Sequence, residues 1–404
     1  MVQTTTINHW AIFINNTTNH QSFIQQLLQG HAAEPFTAFN SQKGLLFSTI
    51  TLNAFIEEED RHEHTDVLKN TNRTLKSMSS GERKKALLAY LLSQQPDFII
   101  LDNPFDNLDV ASLQMLRNEL TNIAHQTAII QVATRKLDKL DFISNTYALN
   151  NTTTNQTTHF TGSIPPPLKH YEISTNTLVE FKNVTVKYED HTIIRNINWT
   201  IKAGEFWQLI GPNGSGKTTM LTMINGDNPK AYGQDLYLFG KRKGSGETVW
   251  EIKDKIGYLT PAMTDLFSTR HTLLQMIIGG FFDSIGLYNL PSDGQLKLAN
   301  DWLALIGMTQ LKNTPFCKLS MGQQRMALIV RAMVKHPPLL ILDEPTEGLD
   351  DDNVTMLSNL INKIAAESST AILYVSHRTE DAIKPQFVYE LLPSSDGSIG
   401  AVKY

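Results

Sequence analysis

Two stretches of this sequence are versions of one pattern, and a repeat limits the possible folds more than any single motif. SSGERKKALLAYLLSQQPDFIILDNPFDNLD (Ser79–Asp109) parallels SMGQQRMALIVRAMVKHPPLLILDEPTEGLD (Ser320–Asp350). Each reads as a small-residue turn with Gly, a helix with apolar residues three or four apart, a Pro, and a short apolar run ending in Asp. A run of that length and flanking is a parallel strand buried on both faces. A second register lies upstream. With Gly30 set on Gly226, an offset of 196 (226 minus 30), WAIFINNTTNHQSFIQQLLQG falls on FWQLIGPNGSGKTTMLTMING without a gap, and Met1 falls opposite Ile197. Gly30 to Ser79 spans 49 positions and Gly226 to Ser320 spans 94, so the first copy is expected to carry a shorter helical insertion.

The boundary between the copies falls in NNTTTNQTTHFTGSIPPPLKH. Asn and Thr favour turns there, and Pro165–Pro167 favours extended backbone. HFTG is read as a terminal hairpin strand. The expected domains are about 1–160 and about 175–404. At 404 residues there is room for two or three domains, and 41% hydrophobic residues suffice for a core in each.

The net charge of -5 is small for this length and argues for neither a nucleic acid nor an anionic membrane as partner. Lys241–Arg242–Lys243 could touch RNA but reads better as a solvated loop. One cysteine, Cys317, excludes an intrachain disulfide and fits a reducing compartment. No Cys/His pairing marks it as a nucleophile. MVQTTTINHWAIFINN lacks the basic start and apolar run of a secretory signal. No run reaches the roughly 18 apolar residues of a spanning helix. The Asn-x-Thr triplets within 144–158 therefore read as polar loop rather than as glycosylation sites.

GPNGSGKT (Gly211–Thr218) follows the apolar run FWQLI and precedes the helical MLTMING, the strand–loop–helix setting of a P-loop. Gly211, Pro212, Asn213, Gly214, Ser215 and Gly216 form a loop whose backbone N–H groups can turn onto phosphate oxygens. Lys217 suits the β- and γ-phosphates, Thr218 offers a hydroxyl to Mg²⁺, and Thr219 continues the helix whose positive end faces the anion. The substrate these parts imply is ATP with Mg²⁺. LLILDEP (Leu339–Pro345) ends a buried strand in two acids. Asp343 suits the Mg²⁺ shell, and Glu344 suits a general base that orients water. His377, after the apolar run AILYV, stands at a strand end on the ligand edge and can hold the γ-phosphate, the water and Glu344 in line. Tyr188 ends an alternating strand 23 positions before Gly211 and can stack on adenine.

Together these residues resemble the ABC ATPases. LSMGQ (Leu319–Gln323) resembles the family signature LSGGQ, and EGLD (Glu347–Asp350) its D-loop. DLYLFGKRKGSGETVWEIKDKIGYL, GGFFDSIGLY and GQQRMALIVRAMVKHPPLLILDEP resemble the ModF/photorepair-type tandem ATPases associated with molybdate uptake. The resemblance implies an α/β chain of two tandem ABC-type P-loop domains, each with a RecA-like, mainly parallel sheet and a helical subdomain. It also implies a cytoplasmic ATPase, peripheral at the inner face of a membrane where a permease is its partner. No residue cluster reads as a molybdate site. Where transporter cassettes carry a Gln after the strand that here reads IGYL, this chain has Pro261, which cannot ligate Mg²⁺ through an amide. That departure puts permease coupling in doubt and leaves phosphate binding intact.

The first copy reads as a partner and not as a second engine. Under the 196 offset Gly211, Gly214, Gly216 and Lys217 fall on Asn15, Thr18, His20 and Gln21. The cradle glycines and the lysine charge are gone. Asn103 stands at the general-base position and Thr134 at that of His377; of the positions compared, Asp102 alone is kept. MSSGE (Met78–Glu82) survives. In ABC dimers each ATP lies between one P-loop and the other cassette's signature. The resemblance thus implies that Ser79, Ser80, Gly81 and Glu82 complete the site at Lys217 through pairing of the two cassettes within the chain. MSSGE is also a helix-capping box, and both readings can hold. LSMGQ is left facing a dead loop, either as a cap or for a homodimer of C-terminal halves. The alternative function is a regulatory or repair-linked ATP switch with no permease. A translation factor fits less well, because those tandem proteins resemble a pair of intact P-loops on a long charged linker.

Overall fold

The computed structural model describes residues 7–62, 66–68, 73–149, 160–267, 271–377 and 380–403. Met1 and most of the Asn/Thr-rich boundary, 150–159, lie outside them. The chain divides into two compact units, 1–156 with 348–351, and 157–347 with 352–404.

The first unit runs β1 (Trp10–Phe13), α1 (Gln21–Leu28), β2 (Gly44–Phe47), α2 (Thr49–His62), α3 (Ser80–Ser93), β3 (Phe98–Asp102), α4 (Val110–Ile123), β4 (Ala128–Ala133) and β5 (Asn145–Ala148). Its sheet has the order β2-β3-β4-β1-β5, and every neighbouring pair is parallel. The period of two along β3 explains its run of apolar residues. Ile99 and Leu101 pack with Leu87 and Leu88 of α3 and Leu116 and Leu120 of α4. Phe98 and Ile100 pack on the other face with Ile24 and Leu27 of α1. A strand covered on both faces has no position for a polar side chain until its end, where Asp102 stands.

The second unit opens with β6 (Thr177–Tyr188), β7 (His191–Lys202), β8 (Phe206–Ile210) and α5 (Lys217–Ile224). It continues through β9 (Leu236–Leu238), β10 (Lys241–Arg242), α6 (Val249–Asp254), β11 (Ile256–Leu259), α7 (Met263–Leu266), α8 (Leu273–Ile278), α9 (Asp293–Leu305) and α10 (Met321–Met333). It closes with β12 (Leu339–Asp343), α11 (Asp351–Glu367), β13 (Ala371–Val375), β14 (Phe387–Leu392) and β15 (Ile399–Lys403). An antiparallel sheet, β10-β9-β6-β7, accompanies a larger one, β11-β12-β13-β8-β14-β15, which is parallel apart from the β14–β15 hairpin.

The two units can be compared element by element. Under the 196 offset α1 and α5 coincide at both ends, and β1 and β8 start at matching residues. The order β11-β12-β13-β8-β14 corresponds strand by strand to β2-β3-β4-β1-β5. Between β2 and α3 the longest helix is α2, whereas α7, α8 and α9 stand between β11 and α10, which is the shorter insertion expected.

Two readings need correction. Phe160–Gly162 carries no strand; His159 lies outside the described residues. Lys241–Arg242–Lys243 is a solvated loop only in part: its first two residues are exposed but form a strand. Lys241 and Arg242 form β10 and pair with Glu247 and Asp235, while Lys243 is buried with its ammonium over the Tyr232 ring. Lys243 stands in the turn that follows β10, and its stem is packed there instead of hydrated. No helix among the described residues is long and apolar enough to cross a membrane.

Candidate active site

Strand register brings the scattered motifs to one edge. Asp343 is level with Val375, and Val375 with Leu209, across β12, β13 and β8. The loop Gly211–Gly216 leaves β8 just beyond that line, Glu344 follows Asp343, and His377 comes two residues after Val375. Strand ends of an open parallel sheet are where such folds hold ligands.

The loop needs its glycines. Gly214 and Gly216 lie at φ +78° and +99°, a region that L side chains avoid. A Cβ on Gly216 would sit 2.5 Å from Ile194 Cγ2. Gly216 caps α5, so the first N–H groups of that helix open toward the loop. Lys217 is largely buried, and its ammonium donates to the carbonyls of Gly211 at 2.6 Å and Pro212 at 3.1 Å. The charge is thereby held over the cradle. Thr218 is exposed at the start of α5.

Burial first, then the neighbouring Glu344 carboxylate, push the Asp343 carboxyl up to about 6, against the pull of Lys217. A divalent cation would relieve that crowding, and the oxygen donors of a carboxylate and a hydroxyl are the kind Mg²⁺ favours. Glu344 is held at φ +50°, and its N–H donates to Val375 O at 2.8 Å. His377 Nδ1 lies 2.6 Å from Glu344 Oε2, so the imidazole orients the carboxylate. Tyr188 ends β6 and is half exposed. Its hydroxyl accepts from Asn228 Nδ2 at 2.9 Å, and Lys230 lies over its ring at 5.7 Å. Sequence reasoning did not find Asn228; its only signal is the Asn-Pro turn it begins.

The corresponding corner of the first unit keeps the frame and changes the chemistry. Asn103 sits at φ +44° with its N–H on Val132 O at 3.0 Å, as Glu344 does on Val375. Thr134 donates from its N–H to Asn103 Oδ1 at 3.1 Å, in the place of the His377–Glu344 contact. The loop is different. None of residues 15–21 has positive φ, and His20, opposite Gly216, caps α1 at φ −81°. Asn15 Oδ1 accepts from both Thr17 and Thr18 hydroxyls, and His20 Nε2 lies 3.2 Å from Asp102 Oδ1. That hydrogen bond raises the His20 pKa, against partial burial. Side chains of this loop fill their own corner.

Ser79 and Ser320 are N-caps of α3 and α10, each in a reciprocal capping box with Glu82 or Gln323. Backbone and side-chain hydrogen bonds from Ser79, then from Arg73, lower exposed Glu82 to about 2. Gly81 also has a local reason to be glycine. A Cβ there would stand 2.7 Å from Ser112 Oγ, and one on Gly322 would strike the Asn353 amide. Pro261 begins the turn into α7, with Thr264 N–H donating to its carbonyl.

A parallel sheet whose glycine loop, buried lysine and Asp–Glu strand end share one edge defines a P-loop nucleotide-hydrolysing domain. The family model described as ABC transporter matches residues 194–347. Over 339 residues the chain is 39% identical to the ABC transporter ATP-binding protein ModF of Escherichia coli (strain K12), a match covering 77% of this chain and 69% of that protein. It is 31% identical over 327 residues to an uncharacterised ABC transporter ATP-binding protein of Schizosaccharomyces pombe, covering 76% of this chain and 66% of that one. The chain belongs to the ABC transporter ATP-binding proteins, is ModF-like, and carries an ABC-type ATPase domain that binds ATP.

Proposed function

We propose that this chain is a tandem pair of cassettes, 1–160 and 175–404, with one competent ATP site and one degenerate one. The observation that carries the reading is the contrast between the two loops. Gly211–Gly216 is a glycine cradle with Lys217 behind it, and Asn15–His20 lacks glycine and is tied by side-chain hydrogen bonds among Asn15, Thr17 and Thr18 and from His20 to Asp102. ATP lies with its phosphates on Gly211, Pro212, Asn213, Gly214, Ser215, Gly216 and Lys217, and on Thr218 and Thr219 at the start of α5. Its base stacks on Tyr188. Thr218 and Asp343 would hold Mg²⁺, which would supply positive charge to the phosphates. Glu344 aligns water and accepts its proton, and His377 fixes the Glu344 carboxylate. Ser79, Ser80, Gly81 and Glu82, at the start of α3, complete the site through pairing of the cassettes, the positive end of α3 serving the γ-phosphate.

Family membership supports the role of cytoplasmic ATPase in a transport system, at the inner face of a membrane with a permease as partner. The ModF/photorepair-type resemblance points to molybdate as the transported ion. Pro261 favours a second reading, a regulatory or repair-linked ATP switch without a permease. A pull-down with Glu344→Gln trapped in ATP separates the two: recovery of a membrane permease supports transport, and its absence supports the switch.

The composite site is tested by Ser79→Ala against Ser320→Ala. Both remove the same kind of N-cap, about 1 kcal/mol each, so the stability cost is matched. Loss of ATPase activity in Ser79→Ala alone supports pairing within the chain. Loss in Ser320→Ala alone contradicts it and establishes a homodimer of C-terminal halves.

A further inference from the structure

We infer that Asn228 is a positioning residue that braces the base-stacking Tyr188 against the P-loop helix, so that adenine and phosphates are held by one rigid relay. The inference rests on the reading of Tyr188 as the adenine platform.

Tyr188 needs a brace. It is the last residue of β6, beside a hairpin turn in which Glu189 has φ +52°, and it is 42% exposed. A ring at a hairpin tip is loosely placed unless its far end is anchored, and stacking demands a fixed ring plane. The anchor comes from Asn228, which is itself buried at 5% exposure. An amide carries two hydrogens, and Asn228 Nδ2 uses both: toward Tyr188 Oη at 2.9 Å and toward Thr222 Oγ1 at 3.2 Å.

The relay continues into the phosphate site. Thr222 lies on α5, one turn after Thr218, and its one hydroxyl hydrogen is shared between the carbonyls of Thr218 at 2.9 Å and Thr219 at 3.0 Å. Asn228 is fixed from its other side too. Its N–H donates to Thr222 O at 3.1 Å, and its Oδ1 accepts from Lys230 N at 3.0 Å. Lys230 places its ammonium over the Tyr188 ring at 5.7 Å. One face of the ring thus meets a cation, and the ring edge is tied to the helix that begins at Lys217. Every part of this relay lies within the second unit.

Four variants of the full chain test the brace, read by the affinity of ATP and of inorganic tripolyphosphate, which has no base. Tyr188→Phe removes the accepting oxygen and keeps the ring. Asn228→Ala removes the donor. Each should weaken ATP about 3- to 10-fold, the effect of one lost hydrogen bond, and leave tripolyphosphate within about twofold. The double variant should lose no more than either single one, because they break the same link. Tyr188→Ala should weaken ATP further, again sparing tripolyphosphate. If Tyr188→Ala leaves ATP affinity intact, the base-stacking reading itself fails. If Tyr188→Ala weakens ATP but Asn228→Ala and Tyr188→Phe do not, stacking stands and the brace is overturned. Equal loss of ATP and tripolyphosphate in Asn228→Ala assigns Asn228 to the stability of α5 and also overturns it. Tyr188→Phe removes a single hydroxyl at a hairpin end, so it remains decisive should Asn228→Ala fold poorly.

Discussion

Replacing Asp343 with Asn should stabilise the nucleotide-free protein while disabling it. Burial and the adjacent Glu344 raise this carboxyl from 3.8 to about 6, so the fold holds the ionised form at a cost. A rise of about 2 units corresponds to about 3 kcal/mol, at roughly 1.4 kcal/mol per unit. The sign follows from proton uptake. Between about 4 and 6 the folded chain binds more protons at Asp343 than the unfolded chain, so wild-type stability falls as pH rises through that window. Above about 6 the penalty is fully present, and below 3.8 it is gone. An amide of the same shape carries no such penalty. With EDTA and no nucleotide, the Asp343→Asn variant should therefore melt higher by about 6–12 °C at about pH 7.5, given roughly 2–4 °C per kcal/mol for a unit of this size. The gain should shrink steadily toward about pH 4.5. Adding MgATP should raise the melting temperature of wild type and not of the variant. An unchanged melting temperature, or a gain independent of pH, would refute the electrostatic reasoning.

Gly216→Ala should cost about 1–3 kcal/mol in urea unfolding, because φ +99° disfavours a side chain and its Cβ would meet Ile194. ATP binding should fall with it. Glu344→Gln should lower the ATPase rate at least about 100-fold with ATP affinity retained; equal loss of both would assign Glu344 to binding. The His20–Asp102 contact raises a histidine pKa, so its contribution is present below 6.5 and is lost as pH rises through the raised value. His20→Gln should remove that pH dependence from the unfolding of the first unit. Persistence of the same pH profile would assign it elsewhere.

Much of this was legible in the sequence because parallel strands and glycine loops are local statements. GPNGSGKT, LLILDEP and AILYVSH each fix a strand end, and register then carries all three to one edge. Under the offset from Gly30 to Gly226, α1 and α5 begin and end at matching residues. Contacts made across distant segments were not legible. Nothing near Tyr188 in sequence announces Asn228, which sits 40 residues on. His20 reads as a lost glycine, and its pairing with Asp102 appears only once β3 and β1 lie two strands apart in one sheet. Lys243 reads as surface charge because hydropathy does not record that the turn after β10 buries its stem against Tyr232. The left-handed backbone at Glu344 and Asn103 is likewise a consequence of the strand-end hydrogen bond and not of either residue type.

Nucleotide stoichiometry tests the central claim most directly. With Glu344→Gln to block turnover, equilibrium binding of ATP should saturate at one molecule per chain, vanish in Lys217→Ala, and be indifferent to Gln21→Ala. Two bound ATP molecules per chain, or binding that survives Lys217→Ala and fails with Gln21→Ala, would contradict it.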